Sequence, residues 1–257
     1  MGSAEPAQSP AATAPAGQVV SFEPVRDLDV TDGRIGVRTG DALVIGTLEE
    51  IARGAGERHA LDTSCGDASA NAGTFAVACA GEIKLFGARE EAIGTDLPVT
   101  VATVASSGEV LAGSDSERKI WVFEDGELAS TIDVARETDQ LQAVQVDGQR
   151  DSVVRTNRFD TTIQDIDWTG SRQGGTLRVG LGVGKVAGGE HGLVLAADST
   201  GNQLTSTPPT TSSVSSSPRP CPRGRGTRRG TQRSASHGSA RWPATRQPVT
   251  TSLKAFR

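Results

Sequence analysis

The 257-residue sequence has only 3 cysteines and no run of about 18 apolar residues. A cystine-knotted scaffold and a membrane-spanning helix are therefore both excluded. Acidic side chains are missing altogether from residues 205–257, which carry 10 Lys and Arg and a charge of +10. Residues 1–204 hold all 31 acids with 16 bases, a charge of -15, so the formal total of -5 conceals two segments of opposite sign. Helix formers are scarce as well. Of 31 glycines, 27 lie before residue 205, which opposes a helical domain on propensity alone. Only Leu48–Ala55 and Ala88–Ile93 offer a possible helical turn or two.

Met1–Gln18 is built mostly from Ala, Pro, Ser and Gly, with Glu5 its single charged side chain, and reads as a disordered leader. It has neither the basic start nor the apolar stretch of a signal peptide, and Pro6 stands where a myristoylation signal needs Ser or Thr. The composition fits the tether behind the processed end of an exported protein, in which case the export signal is not within this sequence. A disordered cytoplasmic N-terminus is the competing reading.

From Val19 to Leu204 the pattern is one of short strands and turns. Ile35–Gly46, Thr74–Phe86 and Glu109–Phe123 each read as strand, polar or glycine turn, strand. Ile120-Trp121-Val122-Phe123 is β-branched and aromatic, and Asp125-Gly126 is a favoured tight-turn pair leading into Leu128–Val134. The signal that decides among β architectures is a period. Leu43, Ile83, Ile120, Ile163 and Leu204 occupy matching places in successive strand pairs, at separations of 40, 37, 43 and 41 residues. Units of about 40 residues with four short strands predict an all-β fold, a partial β-propeller of four to five blades over residues 19–204. A β-sandwich also has many short strands but no repeated strand–turn–strand phrase. No Trp-Asp pair closes each unit. Five incomplete units are expected to leave the ring open.

After Leu204 the alternation stops. Residues 205–257 contain 10 Ser, 9 Thr, 7 Pro and 9 Arg. This composition fits a disordered basic arm, or the out-of-frame translation of GC-rich coding sequence; the second reading accounts better for the abrupt break.

Few residues suggest chemistry. Cys65 and Cys79, separated by 14 positions, could bridge neighbouring strands in an exported protein or remain reduced and buried in cytosol. Cys221 lies in the tail between two prolines. His59, His191 and His237 are isolated, and Asp160, Asp165 and Asp167 lack a calcium-loop register, so no metal is expected. Gly182-x-Gly184-x-x-Ala187 imitates a dinucleotide fingerprint, but Gly188-Gly189 follows where a helix should begin. A phosphate loop is also excluded, because three residues instead of four separate Gly180 from Gly184 and Val186 follows Lys185. No serine elbow is present, so no catalytic or cofactor-binding residue is assigned. The tail arginines Arg223, Arg225, Arg228, Arg229 and Arg233 have no interleaved aromatics. With a body charge of -15, no specific nucleic-acid partner is expected.

Asn157-Arg-Phe-Asp-Thr-Thr-Ile-Gln-Asp-Ile-Asp-Trp168, Arg172–Gly184 and Asn202-Gln-Leu204 resemble a family of actinobacterial, corynebacterial-type envelope lipoproteins with a propeller of the seven-bladed, YVTN/WD40-like or quinoprotein-dehydrogenase-like type. The likeness is strong over residues 151–204, moderate over 19–150 and absent beyond. It implies an extracytoplasmic location, a membrane association made only through a lipid anchor outside this sequence, and further blades after residue 204. The family supplies no catalytic residues to carry over. The functional expectation is a monomeric, non-enzymatic envelope module that binds a protein or small ligand on its loops. A propeller enzyme of the lactonase or dehydrogenase type with a site at the channel mouth, and a truncated product without activity, are the alternatives.

Overall fold

The computed structural model describes residues 20–207 except 199 and 202, together with residues 253–254. The disorder expected for residues 1–18, and for the tail beyond 207 apart from 253–254, falls outside the described residues. Five four-stranded antiparallel sheets follow one another along the chain, each an up-and-down meander. The first consists of β1 (Asp27–Thr31), β2 (Arg34–Arg38), β3 (Ala42–Gly46) and β4 (Glu57–Ala60). The second contains β5 (Ala68–Asn71), β6 (Thr74–Cys79), β7 (Glu82–Gly87) and β8 (Glu91–Gly94). The third contains β9 (Val101–Val104), β10 (Val110–Gly113), β11 (Lys119–Glu124) and β12 (Glu127–Asp133). The fourth contains β13 (Gln140–Val144), β14 (Ser152–Asn157), β15 (Thr162–Asp167) and β16 (Arg172–Arg178). The fifth contains β17 (Val183–Gly188), β18 (Val194–Asp198), β19 (Gln203–Thr207) and β20 (Leu253–Lys254).

The period seen in the sequence is the blade repeat of a propeller. Leu43, Ile83, Ile120, Ile163 and Leu204 are each the second residue of the third strand of successive sheets. The first four are almost fully buried, and each enters the apolar cluster shared with the next sheet in chain order. Ile83, for example, packs with Val99 and Ala102, and Ile120 with Leu141 and Ala143. Each such side chain contributes about 1.5–3 kcal/mol by leaving water. The first strands β1, β5, β9, β13 and β17 pack against one another at the centre of the ring. Gly36 illustrates how closely sheets approach: a Cβ there would lie 2.5 Å from the Phe75 ring of the second sheet.

Turn chemistry sets the registers. Glu124 pairs with Glu127, so Asp125 and Gly126 alone make the hairpin, with φ of 50° and 81°. That pair of left-handed residues matches the strand twist, as the Asp-Gly signal requires. Thr47 caps the short helix α1 (Leu48–Ala52): its hydroxyl accepts from the Glu50 amide, and the Glu50 carboxylate accepts from the Thr47 amide. The other helix candidate, Ala88–Ile93, is not helical. Its end forms β8, because Ile93 pairs with Ile83 in the cluster and Glu91–Gly94 supply the fourth strand beside β7.

One further expectation is corrected at the end of the repeat. Leu204 does not end the pattern, because β19 runs to Thr207 and pairs with both β18 and β20. The fifth and first sheets meet through an ion-pair cluster. Lys185 of β17 reaches Asp27 and Asp29 of β1 at 2.6 and 2.9 Å. No apolar cluster among the described residues joins the fifth sheet to the first.

Candidate axial binding site

The centre of the ring is polar where β5, β9 and β13 meet. Ser69 Oγ of β5 lies 2.8 Å from Thr103 Oγ1 of β9, and Thr103 Oγ1 accepts the Ala143 amide of β13 at 2.9 Å. Gln142 of β13 donates to the Ala70 carbonyl at 2.9 Å and accepts from Ser69 at 3.4 Å. Small hydroxyls let three strands converge, and the glutamine amide satisfies backbone groups that larger apolar side chains would orphan.

Above this plug, at the end where the first strands begin, lies a cavity of about 390 Å³. Its lining includes Arg26, Asp67, Ser69, Gln142, Arg158 and Lys185, with the Cys65–Cys79 pair in one wall. The two cysteines are joined by a disulfide with Cα atoms 4.2 Å apart. The loop before Ala68 is held from below by Arg38, which is fully buried. Arg38 donates to the carbonyls of Thr39, Ala42, Asp62, Cys65 and Gly66 at 2.5–3.3 Å. Burial lowers the Arg38 pKa from the ordinary arginine value, with Arg26 adding to the effect.

Lys185 contributes a charge at the opposite wall, is paired behind it with Asp27 and Asp29, and also approaches the Ala68 carbonyl at 3.4 Å. Burial pushes Asp29 up to about 7, with Lys185 pulling it down and Asp27 pushing it further up. Burial works against the Lys185 ammonium, but the Asp29 and Asp27 carboxylates outweigh it and hold the lysine above its ordinary value. Two carboxylates thus share one ammonium. The folded state retains a proton on Asp29 that the unfolded chain releases near 3.8. The associated stability is fully present below about pH 4 and is lost as pH rises through about 7. Thermal midpoints are accordingly expected to fall between pH 4 and pH 7.5, and Asp29→Asn should flatten this slope. An unchanged slope in the variant would remove Asp29 as its source.

Beneath the plug a second cavity, of about 760 Å³, is bounded by Leu28, Val30, Asn71, Val144, Gly188 and His191. Here His191 Nδ1 lies 2.6 Å from Asp147 Oδ2, both side chains being exposed. Asp151, from the turn between β13 and β14, ties three sheets together on this side. It accepts from Asn71 at 2.7 Å and from the amide and hydroxyl of Ser106 at 2.6 and 2.7 Å.

The other residues singled out in the sequence are held apart. Asp160 accepts from Arg136 at 2.9 Å, Asp165 from Ser152 at 2.6 Å, and Asp167 from Arg172 at 2.7 Å. Burial raises the Asp165 pKa, whereas the Arg172 hydrogen bond lowers that of Asp167. His59 packs on Phe86 with ring centroids 4.7 Å apart. His237, Cys221 and the tail arginines from Arg223 to Arg233 lie outside the described residues. The Gly182–Ala187 segment is a turn and strand β17, not a strand-to-helix turn. Its Lys185 belongs to the axial site, a role that the phosphate-loop comparison could not suggest. Asp27 and Asp29 went unremarked in the sequence. Their i, i+2 spacing on one strand places both on one face and was the available signal.

No protein-family model and no curated protein sequence matches the chain. Solved structures do. Selenomethionine-substituted virginiamycin B lyase from Staphylococcus aureus is similar with a TM-score of 0.50 and 10% identity, covering 70% of this chain and 65% of that one. A streptogramin B lyase structure gives 0.52 and 10%, over 70% and 63%. A chain of a mitotic checkpoint complex gives 0.51 and 13%, over 71% and 60%. The likeness is one of fold. This chain spans less than two thirds of the length of each of these structures.

Proposed function

We propose that this propeller is a non-enzymatic binding module of the cell envelope, which takes a cationic peptide segment or small cationic ligand at the axial mouth. One observation carries the reading. Side chains from β5, β9, β13 and β17 converge on a single concave mouth, whose lining holds the carboxylates of Asp67, Asp115 and Asp139 beside the cations Arg26, Arg158 and Lys185. The body charge of -15 favours the approach of a cation and disfavours nucleic acid. Membership of the envelope-lipoprotein family rests on Asn157–Trp168 and Arg172–Gly184, which contain the last residue of β14, strands β15 and β16, and the entry to β17. An extracytoplasmic location is supported by the disulfide, since such bonds persist in oxidising compartments.

The test is an amide-shift titration of the full chain with a short arginine-rich peptide and with a glutamate-rich peptide of equal length. The basic peptide should move the Asp67, Ser69 and Gln142 signals at low salt and much less at high salt. Equal responses to both peptides, or shifts confined to other loops, would refute the proposal.

A further inference from the structure

We infer that the axial mouth holds a guanidinium seat for an arginine side chain of the ligand, and that the chain's own Arg26 fills this seat until the ligand displaces it. The inference rests on the cationic ligand proposed above and names its cation. Arg26 immediately precedes β1, at the end of an exposed stretch over residues 20–26. Its Nη2 lies 3.2 Å from Asp67 Oδ1. Its Nη1 donates to the carbonyls of Thr63 and Cys65 at 3.3 and 3.4 Å. Two nitrogens of one planar group thus address three acceptors on a single loop, residues 63–67. A fork of this kind suits a guanidinium, and a single ammonium nitrogen does not reproduce it.

The seat is built more firmly than its occupant is held. From below, Arg38 donates to the Asp62, Cys65 and Gly66 carbonyls, and the disulfide fixes Cys65 to β6. The Ser64 amide donates to the Asp62 carboxylate at 2.8 Å, which stiffens the same loop. Arg26, by contrast, makes no contact with its acceptors shorter than 3.2 Å, and its side chain is 40% exposed. Asp67 Oδ1 is buried yet accepts no hydrogen bond among the described residues, because Arg26 Nη2 approaches it without the alignment of a donor. A buried carboxylate oxygen without a donor is costly, and a better-aligned guanidinium would supply what is missing. The Cys65 carbonyl also accepts from Arg38 at 3.0 Å, so the loop carries one guanidinium beneath it and receives another above.

Displacement leaves no buried charge behind. Arg26 passes into water, and the incoming guanidinium takes its place beside Asp67. A half-exposed ion pair of this kind contributes little by itself, which makes it exchangeable. Asp115, exposed on the same rim, has no ion-pair partner among the described residues, so a second basic side chain of the ligand meets a counter-charge there. Self-occupancy lowers the apparent affinity by the fraction of molecules whose seat is open. If Arg26 fills the seat nine times in ten, its removal tightens binding about tenfold.

The experiment titrates hexa-arginine and hexa-lysine into the full chain and into its Arg26→Lys and Arg26→Ala variants, following the Asp67, Ser69 and Gln142 amides. Arg26→Lys keeps the charge and loses the fork. Electrostatics alone therefore predicts the same hexa-arginine affinity for this variant and the wild type. Displacement predicts a gain of about threefold or more for Arg26→Lys and about tenfold for Arg26→Ala. Hexa-lysine should distinguish Arg26→Lys from the wild type much less, and adding Asp67→Asn to Arg26→Lys should abolish the hexa-arginine gain. In the wild type, the Arg26 side-chain Nε–H signal should move to that of a solvent-exposed arginine as hexa-arginine saturates. Equal hexa-arginine affinity in wild type and Arg26→Lys, with the mouth signals still shifting, overturns the inference and leaves the cationic mouth standing. A gain confined to Arg26→Ala and equal for both peptides makes Arg26 a mere repelling charge, and also overturns it. No shift at the mouth in any of the three proteins overturns both the inference and the reading on which it rests.

Discussion

Arg38→Ala is expected to destabilise the folded chain by about 3–5 kcal/mol. The guanidinium is fully buried, and no carboxylate makes an ion pair with it among the described residues. What compensates its desolvation is a ring of five carbonyl dipoles whose negative ends point at one place. Removing a buried charge can relieve desolvation, and where two ions are replaced by apolar groups the result is often neutral. Here only the cation is removed, and the dipoles remain converged on an empty volume. Three of them keep another donor, because Thr39 N reaches the Ala42 carbonyl, Cys65 N the Asp62 carbonyl and Arg26 Nη1 the Cys65 carbonyl. The carbonyls of Thr39 and Gly66 depend more heavily on Arg38. Urea unfolding with an unchanged m-value would report the loss as stability alone. Arg38→Met restores the volume of the stem without the donors, so the difference between the variants separates packing from hydrogen bonding. A cost below about 1 kcal/mol for Arg38→Ala would mean that water solvates these carbonyls as well as the guanidinium does.

Arg38 also marks the boundary between what the sequence discloses and what it does not. The blade repeat was legible because it is written in local terms: a β-branched or leucine anchor one residue into a strand, a turn before it, and a spacing near 40. Those features bury Leu43, Ile83, Ile120 and Ile163 in equivalent places without reference to distant residues. Asp125-Gly126 was legible for the same reason. The axial site is assembled differently. Lys185 meets Asp27 and Asp29 across more than 150 positions, and Ser69, Thr103 and Gln142 meet because β5, β9 and β13 converge. Nothing at the level of a motif distinguishes these polar residues from surface ones. Arg38 reads as an ordinary end-of-strand arginine until the loop at residues 62–66 is folded over it. Ala88–Ile93 shows the converse limit, where a weak helical preference yields to a sheet that needs a fourth strand.

Reduction of the Cys65–Cys79 disulfide should cost about 3 kcal/mol, the loss expected when a 15-residue loop is released in the unfolded chain. For a domain of this size that corresponds to a fall in the thermal midpoint of roughly 6–12 °C. The bond ties the loop preceding β5 to the end of β6, beside the Gly66 amide that donates to the Ala78 carbonyl at 2.8 Å. The Cys65→Ala, Cys79→Ala variant should lose slightly more than the reduced protein, because both cysteines are buried and their sulfurs fill space. The informative result is the combination with Arg38. The disulfide and the guanidinium restrain the same stretch, residues 62–66, so either loss alone frees part of what the other holds. Their effects should therefore fall short of additivity by about 0.5–3 kcal/mol in a double-mutant cycle. Strict additivity would mean that the loop stays in place without either restraint. In that case the wall of the axial mouth must be fixed by the strands alone, and reduction would leave the response to a basic peptide unaltered. A shortfall, with the peptide response lost on reduction before global unfolding, would show that the loop is the adjustable wall of the binding site.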